Sequence, residues 1–131
     1  METLILATRN TGKVAELADR LGGRFRLVSA ADLPDAPDVD ETAATLAGNA
    51  MLKAVVLFAH TGRPALADDT GLLVTALGGA PGVHSARFAG PDADDAANRA
   101  RLLRDLDGVA DRSARFETVL ALATDAGVRL F

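Results

Sequence analysis

The feature that most limits what this 131-residue chain can fold into is the strand–turn–helix unit at its start. Leu4-Ile5-Leu6-Ala7 is an apolar run of strand length that breaks off into Thr8-Arg9-Asn10-Thr11-Gly12, the pattern of a buried strand entering a turn. Lys13 to Leu21 then carries Val14, Leu17, Ala18 and Leu21 on one helical face, and Gly22-Gly23 closes it. The alternation continues. Phe25 to Val28 reads as a second strand, and Ala30 to Asp40, with Pro34 and Pro37, as a loop. A long helix follows, with Thr42 and Thr45 as candidate caps and an apolar face from Leu46 to Phe58. Pro64 to Ala67 predicts a short strand ending at Asp68-Asp69-Thr70-Gly71, and Gly78 to Gly82 no regular element. Asp92 to Leu106 predicts a helix, Arg115 to Ala123 a strand, Asp125-Ala126-Gly127 a turn, and Val128 to Phe131 a last strand. Strands alternating with helices define an α/β domain, a mixed sheet flanked by helices, and the length fits one domain over 1–131.

Composition excludes several functions. There is no Cys, so disulfides, thiolate catalysis and Cys-ligated zinc are absent, and two His leave little for a zinc site or a triad. A net charge of −4 argues against a general nucleic-acid coat. No apolar run approaches a membrane span and no targeting segment is visible, so the expected location is cytoplasmic.

Three groups of residues carry chemistry. Thr8, Asn10, Gly12 and Lys13 stand where a strand meets a helix start, a place that suits an anion through backbone N–H groups, the helix dipole and an ammonium. The same residues read equally well as an Asn/Thr N-cap beside a solvated Lys. Asn49 and Lys53 share a helix face, and Glu41 lies just ahead of that helix, where a carboxylate is favoured in any case. Asp68 and Asp69 are flanked by Leu66-Ala67 and Leu72-Leu73-Val74, so this acidic pair is expected to be buried and to need a cation or a basic partner. The chain has twelve Arg but only two Lys, and both lysines, Lys13 and Lys53, fall in these groups. A compact ammonium is suited to phosphate.

These segments resemble a known family. Ala7-Thr8-Arg9-Asn10-Thr11-Gly12-Lys13 is similar to the opening motif of the inosine/xanthosine triphosphate pyrophosphatases, Glu41-Thr42 with Asn49 to Ala54 to their second motif, and Ala67 to Leu72 running on through Ala76 to Gly90 to their third. The resemblance implies a two-lobed α/β fold, usually a homodimer, that uses Mg2+ to hydrolyse ITP, dITP or XTP to the monophosphate and pyrophosphate and so cleans the nucleotide pool. It implies that Thr8, Arg9, Asn10, Thr11, Gly12, Lys13, Lys53 and Thr70 bind substrate, that Glu41 and Asp69 hold the metal, and that Asp69 is the catalytic base. Thr70 replaces the usual Ser, Ala43 the usual Gly and Gly48 the usual Glu. The family's Gly-Phe-Gly-Tyr-Asp-Pro and Ser-His-Arg motifs, which recognise the purine, do not occur in this sequence. The expectation is therefore a fold incomplete at its C-terminus, with apolar strand edge exposed near Leu130-Phe131. The alternative is a truncated relative that binds nucleotide phosphate or a protein partner without catalysis.

Overall fold

Strand β1 (Thr3–Leu6) buries Leu4, Ile5 and Leu6 together, which is how a strand covered on both faces reads. It runs parallel to β2 (Arg26–Ser29) on one side and to β3 (Ala65–Val74) on the other. The computed structural model describes residues 1–131. Its remaining elements are α1 (Thr11–Leu21), α2 (Leu46–Thr61), β4 (Pro81–Gly82), α3 (Asp95–Asp105), β5 (Ala114–Thr124) and β6 (Gly127–Leu130). The sheet order is β2-β1-β3-β5-β6, with β4 added antiparallel to β3 and β6 antiparallel to β5. This is the expected α/β class, a mixed sheet with helices. No helix is long and apolar enough to cross a membrane.

The chain divides into two compact units, one of Met1–Ala43, Ala47–Asp69 and Val119–Phe131, the other of Ala44–Leu46 and Thr70–Thr118. In the first, α2 buries Ala50, Ala54 and Leu57 along one stripe. That stripe packs on Ile5, Ala65, Ala67, Ala121 and Ala123, which belong to one face of the strands. Most of these contacts are alanine against alanine, so the helix backbone can approach the sheet closely. On the opposite face α1 contributes Leu21 to a cavity shared with Leu4, Leu66 and Leu122. Helix α1 stops where Gly22 turns into the left-handed region at φ 58°, a conformation that glycine adopts without steric cost. Strand β6 forms the sheet edge, and Leu130 and Phe131 are exposed.

The second unit is built from the far half of β3, where Leu72 and Leu73 pair with Gly82 and Pro81. The Ser85 hydroxyl accepts from Leu72 N at 2.9 Å and donates to Gly82 O at 2.6 Å, tying strand and turn together. Asp94 caps α3 by accepting from Ala97 N at 2.8 Å. From α3, the Arg101 guanidinium lies 4.1 Å from the Phe88 ring centroid and donates to the Phe88 carbonyl.

The sequence reading differs from this fold chiefly at β3. The residue pattern predicts a strand ending at Asp68, whereas β3 runs on through Asp68, Asp69, Thr70 and Gly71 to Val74. Gly71 is what permits it. A Cβ there would meet Gly82 O at 2.7 Å and Gly82 C and Leu46 Cδ2 at 3.1 Å, so only a residue without a side chain lets β3 pass this close to the turn. Gly82 itself holds φ 54° and cannot readily shift away. Gly71→Ala is therefore expected to destabilise the protein by about 1–3 kcal/mol, as overpacked sites do, in a urea unfolding titration. The glycine-rich segment also contributes the two-residue β4, which no periodicity signals. The helix expected from Asp92 starts at Asp95, one residue after its cap.

Candidate active site

The first turn of α1, the middle of α2 with the segment before it, and the part of β3 just past its pairing with β1 bring five charged side chains together in the first unit. Lys13 leaves the first turn of α1, and its Nζ lies 2.6 Å from Asp68 Oδ2. Lys53 projects from α2 and reaches three acceptors: Glu41 Oε1 at 3.0 Å, Asp69 Oδ1 at 3.4 Å and the Asp68 backbone carbonyl. Asp68 thus bridges the two lysines, one through its carboxylate and the other through its main chain. Both carboxylates that reach Lys53 share one ammonium, so Glu41 and Asp69 converge although 28 positions separate them in the sequence.

Three carboxylates face two ammoniums here, and the imbalance is felt at Asp69. Its side chain is only 14% exposed. Its Oδ2 is buried with no hydrogen-bond partner. Burial pushes the Asp69 carboxyl above the ordinary carboxylate range; Lys53 pulls it down, but the neighbouring charges of Glu41 and Asp68 push it up again. A buried carboxylate oxygen without a partner is costly, and the lowest-cost remedies are a proton or a cation. No cluster of three or more His, Cys, Asp or Glu is present that could enclose a metal by itself. Two carboxylates with one free oxygen suit a hard divalent ion that keeps water or phosphate oxygens as its other ligands.

At the start of α1 the structure shows the cap. Asn10 Oδ1 accepts from Gly12 N at 2.9 Å and from Lys13 N at 3.3 Å, and Thr8 Oγ1 accepts from Asn10 N at 3.1 Å. Gly12 leaves room for this, because a Cβ there would sit 3.2 Å from Asn10 Oδ1. Thr11 opens the helix and is exposed. The Arg9 guanidinium turns to the following loop, donating to Ala36 O at 3.2 Å and to Asp38 Oδ1 at 3.4 Å. Thr70, in the second unit, shares a 2.8 Å hydrogen bond with Thr118 Oγ1.

Two residues gain parts that the sequence reading did not give them. Asp68, expected with Asp69 to need a cation or a basic partner, has that partner in Lys13, while its carbonyl contact to Lys53 leaves no trace in a side-chain pattern. Asn49 is 1% exposed, and its Oδ1 accepts from Ala43 N at 2.9 Å, which fixes the segment that carries Glu41. An Asn on an otherwise apolar helix face was the available signal. Asn49→Ala removes the partner of the Ala43 N–H, and the expected cost is about 1–3 kcal/mol in chemical denaturation, with faster hydrogen exchange over residues 41–43.

Two ammoniums and three carboxylates gathered beside the first turn of α1, where β3 runs past its parallel pairing with β1, form an arrangement that can handle an anion in a fold of the α/β class. The comparisons with known proteins give the family. Residues 4–131 match the sequence profile of the Ham1 family, and the chain belongs to that family. It is 53% identical over 126 residues to a dITP/XTP pyrophosphatase of Geobacillus kaustophilus, covering 94% of this chain and 62% of that protein. It is 48% identical over 132 residues to the dITP/XTP pyrophosphatase of Geobacter sulfurreducens, covering 98% of this chain and 66% of that protein. Among solved structures, a HAM1 protein from Coxiella burnetii superposes with a TM-score of 0.92 at 38% identity, covering 99% of this chain and 68% of that one. The chain thus spans roughly two thirds or less of the length of these relatives.

Proposed function

We propose that this chain carries the phosphate and metal side of a nucleoside triphosphate pyrophosphatase, acting on noncanonical purine nucleotides such as dITP, ITP and XTP. The observation that carries the reading is Asp69 Oδ2, a buried oxygen without a partner in a site with more carboxylates than ammoniums. The names of the relatives support the substrate class.

The reaction is attack of water on the α-phosphorus, with the bond to the bridging oxygen breaking and pyrophosphate leaving. Asp69 accepts the water's proton in this reading. Lys13 and Lys53 neutralise charge on the phosphate oxygens as it develops, each held in place by a carboxylate. The exposed first turn of α1, with Thr8, Asn10, Thr11 and Gly12, faces the phosphates with the positive end of the helix dipole. Thr70 is kept as a substrate-binding residue on the family resemblance. Arg9 serves by holding the loop through Asp38. Glu41 and Asp69 would hold a divalent cation, Mg2+ in this reading, which would supply Lewis-acid stabilisation of the phosphate oxygens.

The reading takes 1–131 as one functional domain in the cytoplasm and the active species as a homodimer. The exposed Phe116, 76% accessible beside a cavity lined by Leu72, Pro81, Phe88 and Leu102, supports an interface. The test is pyrophosphate release from ITP, dITP and XTP against ATP and GTP, with and without Mg2+. Release that prefers the first three supports the proposal. Magnesium-dependent ITP binding without release from any substrate supports the non-catalytic alternative instead.

A further inference from the structure

The first unit holds a second cavity, at the opposite end of the parallel strands from Asp69. It measures about 410 Å³. Its floor is aliphatic: Ile5 and Val28 are paired neighbours on β1 and β2, and Leu33 follows the turn after β2. Its rim is basic, formed by Arg26 at the start of β2 and by His60 and Arg63 at the end of α2. All three rim residues are exposed, whereas Ile5 is buried and Val28 and Leu33 are half-buried.

Three points separate this cavity from an ordinary surface hollow. No carboxylate lines it, although the chain has 18 Asp and Glu against 14 Lys and Arg. Neither Arg26 nor Arg63 forms an ion pair or a side-chain hydrogen bond, so both guanidiniums keep their donors free. The dipole at the C-terminal end of α2 accounts for Arg63 as a counter-charge, but not for Arg26, which comes from a different element. A void of this size with an apolar floor and a few converging polar groups falls within the range of small-molecule sites.

We propose that this cavity binds a small organic anion, a phosphomonoester or carboxylate carried on an apolar body. The anionic group pairs with Arg26 and Arg63, a guanidinium geometry suited to either oxyanion. The apolar body covers Ile5, Val28 and Leu33. Thr3 and Thr61 add hydroxyls to the lining, that of Thr61 already donating to Leu57 O at 2.8 Å, so over the aliphatic floor shape and apolar area select the body. The proposal is independent of the reaction at Asp69.

The experiment titrates the 131-residue chain with phenyl phosphate, benzoate and inorganic phosphate, followed residue by residue in NMR spectra. The expected result is saturable shifts at Ile5, Val28 and Leu33 with one of the aromatic anions, and binding at these residues at least ~10-fold weaker for inorganic phosphate. Tighter binding of phenyl phosphate assigns a phosphomonoester, and tighter binding of benzoate a carboxylate. The double variant Arg26→Ser/Arg63→Ser, both positions being exposed, should keep its unfolding midpoint and bind at least ~10-fold more weakly. Shifts confined to Thr8–Lys13 and Lys53, or equal affinity in the double variant, would overturn the proposal.

Discussion

Asp69→Asn is expected to lower pyrophosphate release by about 10³-fold and, at neutral pH without divalent metal, to make the protein more stable. The two effects share one cause. Burial raises the Asp69 carboxyl above its unfolded value, and the attraction of Lys53 does not fully offset it. The folded state therefore holds the Asp69 proton over a pH range in which the unfolded chain has released it, so stability falls as pH rises through that range. The favourable contribution is complete below the ordinary Asp range of about 3.9 and is lost once pH passes the folded value. At pH 7 the native protein carries a buried carboxylate that unfolding would relieve, and the neutral amide of the variant carries no such charge. Thermal unfolding in EDTA should show the Asp69→Asn variant above the wild type at pH 7, with the gap closing toward pH ~4. A variant that is inactive and also less stable at pH 7 would show that Asp69 is held mainly by its contact to Lys53 and that the site does not need a cation. Added Mg2+ should stabilise the wild type more than the variant.

How far this was legible from the residues depends on what kind of signal each one leaves. The parallel part of the sheet was readable because β1 carries three apolar residues in a row, Leu4, Ile5 and Leu6, and α2 shows an apolar face. Lys13 and Lys53 stood out because the chain otherwise uses arginine, and the structure brings both to the same acidic pair. The length of β3 was not readable. Asp, Asp, Thr and Gly in succession are turn formers by local preference, and only the approach of Gly82 to Gly71 reveals a strand there. The double reading at Asn10 had the same origin: a cap and an anion site ask for the same residues at a helix start, and only coordinates show its Oδ1 taken by Gly12 and Lys13. Contacts made through the main chain, such as the Asp68 carbonyl to Lys53, carry no residue signature at all.

Lys53→Met gives the largest expected loss of stability. The methionine keeps most of the apolar stem that crosses the half-buried part of α2, so the change isolates the ammonium. Its removal strands the Asp68 carbonyl and the carboxylates of Glu41 and Asp69 together. Breaking a buried pair by deleting one partner costs about 3–5 kcal/mol; Glu41 is 35% exposed and keeps some water, so a loss of about 2–4 kcal/mol is expected in urea unfolding at pH 7. Turnover should fall by at least ~10²-fold, because charge on the phosphates then develops without its fixed counter-charge. The double variant Lys53→Met/Asp69→Asn should recover part of the stability, with a coupling of about 1 kcal/mol or more, and none of the turnover. Acid should help the single variant as well. Lys53 is the main influence holding the Asp69 carboxyl down, so without it Asp69 takes up a proton at higher pH, and the stability deficit should shrink between pH 7 and pH ~5. A deficit that stays constant over that range would place the loss in packing around the methionine instead of in the stranded carboxylates.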